Sequence, residues 1–180
     1  MRVSVEHPLV ARLDAAGERI ADRFRGRPVP DRIMYTFSHV GDMSLIWHTA
    51  GVLGALRRDD DTGYAVRLSV VQGIEAAVVN GPVKSIFDRV RPVEPTSRPL
   101  HLRRPRTSSF PSGHASAAAC AVVMLSEGAG PIECAGWALL GAGVAASRVY
   151  VGVHHASDVV AGTAVGAIIG LAARRLWPLR

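Results

Sequence analysis

Residues 9–24 carry the first regular pattern of apolar and polar positions along the chain. Apolar side chains recur at three- and four-residue spacing while Arg, Asp and Glu occupy most other positions, which predicts an amphipathic α-helix. Such a helix either lies along a membrane surface or packs on a soluble core. Pro28 and Pro30 are expected to end it, because proline lacks an amide donor and restricts the residue before it. The apolar positions are Leu9, Val10, Leu13, Ala16, Ile20 and Phe24.

Five apolar segments follow, and they lack the charged face of the first helix. The first two contain one acidic residue each, Asp42 and Glu75, and the other three contain no Asp, Glu, Lys or Arg. None reaches the roughly 18 uncharged residues that identify a membrane span by themselves. Together they leave too little polar surface for a soluble bundle, whose helices each need a charged face. The segments are 33–56, 68–83, 115–126, 134–147 and 159–173.

The predicted fold is therefore all-α: a membrane helical bundle with about five spanning helices and an amphipathic N-terminal helix at the membrane interface. Small residues four positions apart, such as Gly162 and Gly166, favour close helix packing in lipid. Residues 1–180 are interpreted as a single domain, in which 1–30 form the N-terminal helix and 31–180 form the bundle.

Composition narrows the class of protein further. The 180 residues are 48% hydrophobic and 20% charged, which excludes a disordered chain, and the 6% aromatic content disfavours a β-sandwich. Cys120 and Cys134 both lie in apolar segments, which indicates small buried residues rather than metal ligands or a disulfide framework. The N-terminus has no uninterrupted apolar stretch typical of a cleavable secretory signal, so a secreted soluble protein is disfavoured.

The connection 84–114 is long and rich in Arg and Pro, and loops of that length in a small protein are usually functional. Lys84 and Arg91 are seven residues apart, so on one helix both cations would project from the same face, before Pro92 ends the helix. Two cations directed the same way require an anion. The alternative is a pair that reaches toward lipid head groups.

A second polar group, Ser112-Gly113-His114, directly precedes the apolar segment 115–126. Serine at a helix start can cap the helix, glycine allows close backbone approach, and the free amides of the first turn form an anion site. The alternative is a plain helix cap with an incidental histidine.

A third group consists of Arg148, His154 and Asp158. His154 and Asp158 are four residues apart, so on a helix the carboxylate can accept the imidazole N–H and determine which ring nitrogen is free. That arrangement is typical of a nucleophile with an orienting partner. His155 is the competing residue, but its own i+4 position is Val159. The alternative is a buried histidine bonded to backbone.

With five membrane crossings, the loops 84–114 and 148–158 emerge on the same side and bring the three groups together. The combined pattern is Lys84 with six residues to Arg91-Pro92, then 111–114 (Pro-Ser-Gly-His), then Ser147-Arg148, five residues, His154, three residues and Asp158. It resembles the three-part signature of the type 2 phosphatidic acid phosphatase superfamily, which also includes vanadium haloperoxidases and bacterial acid phosphatases.

The resemblance implies hydrolysis of a phosphomonoester or diphosphate in a helical bundle, without a metal or other cofactor. His154 would attack phosphorus to give a phosphohistidine, Asp158 would orient it, and His114 would protonate the leaving oxygen. Five groups would hold the phosphoryl oxygens and stabilise the charge of the transition state. They are Lys84, Arg91, Ser112, Gly113 and Arg148. Larger membrane members resemble a six-helix arrangement, whereas here the first helix is amphipathic.

The resemblance and the hydrophobicity together favour an integral phosphatase of the bacterial plasma membrane that acts on a lipid-linked phosphate. A polyprenyl phosphate such as decaprenylphosphoryl-5-phosphoribose is one candidate, favoured by the high Ala, Gly and Arg content, and phosphatidylglycerophosphate or phosphatidate is another. A vanadate-dependent haloperoxidase, an undecaprenyl diphosphate phosphatase, and a scaffold or flippase with a degenerate site are the alternatives. The expected partners are the lipid substrate and the bilayer; no nucleic acid is expected, and a homo-oligomer is left open.

Charge distribution predicts the side of the membrane that the active site faces. The segment through Arg32 and the loops 84–114 and 148–158 carry fifteen Lys and Arg residues, against five on the opposite side. The positive-inside rule then places the N-terminus and the active site in the cytoplasm. Should residues 9–24 span the bilayer, the N-terminus would cross to the other side.

Overall fold

The computed structural model describes residues 7–57, 62–93 and 107–179, and in these ranges every regular element is helical, which confirms the all-α prediction. A 3₁₀ turn, Asp42–Ser44, joins α2 to α3, and a π-helical turn, Val79–Val83, joins α4 to α5. The α-helices are α1 Pro8–Asp22, α2 Pro28–Val40, α3 Leu45–Leu56, α4 Thr62–Val78, α5 Lys84–Ile86, α6 Gly113–Leu125, α7 Pro131–Tyr150 and α8 Ala156–Leu176.

Helix α6 lies at the centre of the bundle, where it packs against α4, α7 and α8. Its contact with α8 is very close, because a Cβ placed on Gly162 would lie only 2.3 Å from the backbone oxygen of Ser112, and Gly166 is crowded in the same way. The predicted packing through small residues is therefore confirmed. This contact holds the first turns of α6 and α8 side by side, and these turns carry His114 and Asp158.

Helix α1 is the predicted amphipathic helix, but the two prolines do not end it. It ends at Asp22, the chain turns through Gly26 with a φ of +78°, and Pro28 is the first residue of α2, where the missing proline amide costs no hydrogen bond. Helix α1 packs closely against the start of α8, since a Cβ on Gly17 would lie 2.6 Å from the Cβ of Ala156. Several large apolar side chains of this region remain exposed: Leu9, Leu13, Ile20 and Phe24.

The apolar segment 33–56 is not one helix, which corrects the prediction of a single element there. It is divided between α2 and α3 by the 3₁₀ turn, and Ser44 adopts a left-handed conformation with a φ of 58°. A residue in that conformation interrupts the right-handed backbone of a helix. The interruption places Asp42 at the functional site instead of inside an apolar helix.

The second apolar segment also differs from its predicted limits. Helix α4 begins at Thr62, before the predicted start at residue 68, and gives way to the π-helical turn that contains Pro82. Proline has no amide to continue the α-helical hydrogen bonds, so the ladder widens there. Within the described ranges, α8 is the one helix that is both long and apolar enough to cross a membrane, while α3 and α6 are shorter apolar helices. The count of about five spans stays a prediction.

Candidate active site

Six of the eight side chains or backbone groups that the sequence singled out line one cavity of about 430 Å³. They come from four parts of the chain: the end of the α4–α5 region, the segment after it, the start of α6, and the end of α7 with its connection to α8. The cavity brings together three cationic side chains and two histidines, as the predicted chain topology requires. The six are Lys84, Arg91, Gly113, His114, Arg148 and His154.

His154 lies in the tight connection between α7 and α8, where its amide donates to the backbone oxygen of Arg148 at 3.1 Å. Its side chain is only 3% exposed, and Nδ1 stands 3.5 Å from Oδ2 of Asp158, longer than an ordinary hydrogen bond. Burial lowers the pKa of the His154 imidazole below its usual range, because the charged form loses its hydration. The ring is therefore neutral at physiological pH, as a nucleophile must be.

Asp158 is fully buried behind His154 and does not line the cavity. Its Oδ2 accepts the backbone amide of His155 at 2.9 Å, and its other oxygen accepts a hydrogen bond from Arg89. The same Arg89 guanidinium donates to Ser157 Oγ at 2.7 Å and to Asp14 on α1. The carboxylate that faces His154 is thus held by an arginine that also ties α1 to this end of the bundle.

Arg91 contacts the ring nitrogen of His154 that faces the cavity. Its Nη1 lies 3.2 Å from His154 Nε2 and donates to the backbone oxygen of Val153 at 2.8 Å. A guanidinium can only donate, so Nε2 is the acceptor and the single ring proton is assigned to Nδ1, on the Asp158 side. The prediction that Arg91 shares a helix with Lys84 is wrong, because helix α5 ends at Ile86 and the backbone continues in an extended conformation.

Lys84 is held in place by Asn80, a residue that the sequence reasoning did not select. The Lys84 ammonium donates to Asn80 Oδ1 at 3.0 Å, and the Asn80 amide donates to the backbone oxygen of Ala76 at 3.1 Å. A Cβ on Gly113 would lie 2.9 Å from the same Oδ1, so glycine there leaves room for the asparagine. The four-residue spacing from Asn80 to Lys84 was the available signal for this pair.

The start of α6 contains the predicted cap. Ser112 Oγ accepts the amide of Ala115 at 3.5 Å, and the Ser112 amide donates to the backbone oxygen of Asp158 at 2.9 Å. Ser112 is completely buried and does not line the cavity, so its hydroxyl stands behind the site. The predicted cap is confirmed, and the predicted contact of this hydroxyl with phosphate stays a prediction.

His114 has a partner in the 3₁₀ turn after α2, and Arg148 has a partner in α2 itself. His114 Nε2 lies 2.9 Å from Oδ1 of Asp42, and the Arg148 guanidinium donates to Ser38 Oγ. Sequence reasoning noted Asp42 only as the single charge in an apolar segment. That charge was itself a signal, because an isolated carboxylate in an apolar segment needs a partner in the fold. His155 does not line the cavity, and its Nε2 lies 3.2 Å from the backbone oxygen of Val90.

The sequence matches the PAP2 superfamily over residues 64–180. It is 33% identical over 152 residues to the decaprenylphosphoryl-5-phosphoribose phosphatase of Mycolicibacterium smegmatis, covering 83% of this chain and 80% of that protein. The protein of the same name from Mycobacterium tuberculosis is 31% identical over 137 residues, covering 74% of this chain and 72% of the relative.

Two crystal structures share the fold at lower sequence identity. A transmembrane PAP2 type phosphatidylglycerolphosphate phosphatase from Bacillus subtilis superposes with a TM-score of 0.74 at 24% identity, covering 96% of this chain and 88% of that one. Aquifex aeolicus LpxE superposes with a TM-score of 0.73 at 23% identity, covering 97% and 99% respectively.

Proposed function

This chain belongs to the PAP2 superfamily, and on that premise we propose that it hydrolyses the terminal phosphate of a prenyl-linked sugar phosphate, with decaprenylphosphoryl-5-phosphoribose as the favoured substrate. The observation that carries the phosphatase assignment is the convergence of Lys84, Arg91, Arg148, His114 and His154 on one cavity. The mycobacterial relatives that bear the name of this substrate are more than 30% identical to the chain and support the choice of lipid.

The three cations are the groups that we propose bind the phosphoryl oxygens. Lys84, Arg91 and Arg148 are each less than a tenth exposed, so their charges act in a site with little competing water. Phosphoryl transfer needs mainly positioning and cationic stabilisation, which such a cluster supplies. The backbone amide of Gly113, at the start of α6, adds a donor of the kind that helix N-termini offer to anions.

His154 is the proposed nucleophile. Its Nε2 carries the lone pair, and this nitrogen attacks phosphorus while the alkoxide of the substrate leaves, giving a phosphohistidine. Arg91, whose Nη1 lies 3.2 Å from Nε2, would transfer that hydrogen bond to a phosphoryl oxygen when the substrate binds. Asp158 keeps the Nδ1 proton in place and stabilises the positive charge that develops on the ring.

His114 is the proposed acid for the leaving oxygen and the base for the water that later attacks the phosphohistidine. The Asp42 carboxylate at 2.9 Å holds its ring and balances the charge of its protonated form. Asp42 is thus a positioning residue for this histidine. The two histidines, each with its own carboxylate, divide nucleophilic and acid–base work between them.

The first test is release of inorganic phosphate from defined lipids in mixed micelles. The purified protein should hydrolyse decaprenylphosphoryl-5-phosphoribose faster than phosphatidylglycerophosphate, phosphatidate or undecaprenyl diphosphate. Activity should survive EDTA, and vanadate should inhibit competitively because it resembles the transferring phosphoryl group. A preference for one of the other lipids would contradict the proposed substrate, and loss of activity in EDTA would contradict the mechanism.

We also propose that the chain is a single domain, residues 1–180, with a bundle of about five membrane-spanning helices in a bacterial plasma membrane and α1 at its surface. Helix α1 has 15 residues, which gives a length of about 22 Å, short of a hydrocarbon core of about 30 Å. Asp14 also holds α1 at the active-site end, through Arg89. The positive charges concentrated at that end favour a cytoplasmic site.

Labelling of single cysteines tests this orientation. Val93, 91% exposed, lies at the active-site end, and Thr62 lies at the far end of α4. In a background without Cys120 and Cys134, an impermeant thiol reagent applied to intact cells should label Thr62→Cys and spare Val93→Cys. Permeabilised cells should show labelling of both variants. The reverse pattern in intact cells would place the active site outside.

A further inference from the structure

The active-site cavity extends beyond the proposed phosphate site, along α4. Gln72, Glu75, Ala76 and Asn80 all line it. Glu75 and Ala76 follow Gln72 by three and four residues, so these three share one face of α4, and Asn80 follows Ala76 by four residues in the π-helical turn. His48 on α3 lines the same cavity, and its Nδ1 lies 3.0 Å from Ser69 Oγ. The proposed phosphatase mechanism uses none of Gln72, Glu75 and His48.

Two oxygen atoms on this face have no hydrogen-bond partner among the described residues. Glu75 Oε1 and Gln72 Oε1 are both buried and make no hydrogen bond to any residue in the described parts of the chain. The side chains are 1% and 2% exposed. Gln72 Nε2 donates to the backbone oxygen of Ala117 at 3.0 Å, which determines that the oxygen of this amide is the free end. Buried acceptors without a donor are costly, so a ligand that supplies donors gains from meeting them.

The position of these acceptors suits a group attached to a bound phosphate. Glu75 on α4 and Asn80, which holds Lys84 from the π-helical turn that follows, are five residues apart, about 7.5 Å at the rise of an α-helix. That distance is comparable to the span of a phosphate ester and one sugar ring. The acceptors are therefore within reach of the leaving group and deeper in the bundle than the phosphate.

We propose that Glu75 and Gln72 form a subsite that binds hydroxyl groups on the leaving group, and that this subsite makes phosphorylated sugars on a lipid better substrates than lipid phosphates without hydroxyls. Both atoms are acceptors, so the ligand must donate. A cationic donor is disfavoured, because Lys84, Arg91 and Arg148 line the same cavity and repel it. A neutral hydroxyl donor fits both conditions. The inference rests on the proposed phosphatase function.

Deoxy analogues measure the contribution of the substrate hydroxyls. The wild-type protein is assayed with prenylphosphoryl-ribose 5-phosphate, with its 2-deoxy and 3-deoxy analogues, and with a prenyl monophosphate that has no sugar. We expect kcat/KM to fall by about 10-fold for at least one deoxy analogue, since a hydrogen bond to a buried acceptor is lost. Equal kcat/KM for the ribose substrate and both deoxy analogues would overturn the proposal.

Variants of Glu75 then locate the effect. Glu75→Gln should lower kcat/KM for the ribose substrate by about 10-fold, leave hydrolysis of prenyl monophosphate unchanged, and remove the penalty of the deoxy analogue. Glu75→Leu removes both acceptors at similar volume and should lose more. Glu127→Gln is the matched control: Glu127 is a mostly buried carboxylate that pairs with Arg67 and does not line the cavity.

The possible outcomes separate this proposal from its premise. Equal loss on the ribose substrate and on prenyl monophosphate would mean that Glu75 acts on the cations of the phosphate site, and it would overturn the subsite. Retained hydrolysis of prenyl monophosphate shows that a variant is folded; where neither variant folds, the deoxy analogues with wild-type protein decide. No phosphate release from any of these lipids would instead contradict the proposed function. A preference for phosphatidylglycerophosphate would change only the proposed lipid. The comparison with deoxy analogues would then test its glycerol hydroxyl instead of the ribose hydroxyls.

Discussion

Replacing His154 with alanine is expected to reduce phosphate release by about 10⁴-fold or more, because the substitution removes the atom that attacks phosphorus. His154 faces the cavity with Nε2, and the lost side chain is an imidazole whose removal leaves Arg91 and Asp158 in place. The protein should remain folded, since the backbone of the α7–α8 connection is held by its own hydrogen bonds. Steady-state phosphate release and thermal unfolding in detergent measure the two effects separately.

His155 provides the matched control for this experiment. It is the adjacent histidine, it does not line the cavity, and its ring contacts backbone groups, namely the oxygen of Val90 and, at the start of α8, the amide of Asp158. His155→Ala should therefore keep most of the activity. A phosphohistidine intermediate, trapped by a rapid alkaline quench and kept at alkaline pH because its P–N bond is acid-labile, should form in wild type and His155→Ala and be absent in His154→Ala. Activity retained without His154 and lost without His155 would exchange the two roles.

The residues that line the cavity could be predicted because their chemistry is local in sequence. His154 and Asp158 are four residues apart, and Gly113 and His114 are adjacent. Such short spacings keep the groups close together without knowledge of the tertiary structure, although His154 lies just before α8 and not on the helix that was expected to carry it. The structure then places these groups where the order of the helices had suggested.

The residues that hold the site could not be predicted in the same way. Arg89 binds both Asp158 and Asp14, and Asp14 is 75 residues away from it in the sequence. Asp42 contacts His114, which is 72 residues away. No periodicity relates such positions, because the contact depends on how whole helices pack. Asp14 is one of several charged residues between the apolar positions of α1, and nothing in the sequence distinguishes it from the others.

The helix limits that were predicted wrongly share a physical cause. In the segment 33–56, the hydrophobic pattern predicted one helix. Ser44 adopts a left-handed backbone conformation, which a hydrophobic pattern cannot predict. Between Lys84 and Arg91, a helix was assumed, yet the chain leaves it at Ile86. In both places the backbone departs from regularity where side chains must enter the cavity, so the functional geometry itself overrides the local pattern.

Asp158→Asn is expected to lower kcat by about 10³-fold or more with little change in KM. The amide keeps the size of the side chain but removes the negative charge that holds the Nδ1 proton and stabilises the ring once it carries phosphorus. Substrate affinity should be largely preserved, because Lys84, Arg91 and Arg148 still bind the phosphate. Initial-rate kinetics over a range of lipid concentrations separate kcat from KM.

Asp14→Asn is the control that distinguishes the two partners of Asp158. Arg89 bonds both carboxylates, so removing the charge of Asp14 disturbs the arginine while the pair of His154 and Asp158 remains intact. If the charge of Asp158 acts on the nucleophile, Asp14→Asn should lose activity only a few-fold. Losses of equal size in the two variants would mean that Asp158 serves to anchor Arg89 and α1, and the orienting role would have to be given up. Because Asp158 is completely buried while Asp14 is partly accessible, thermal unfolding of each variant in detergent must accompany the kinetics, so that a misfolded fraction is not counted as a catalytic effect.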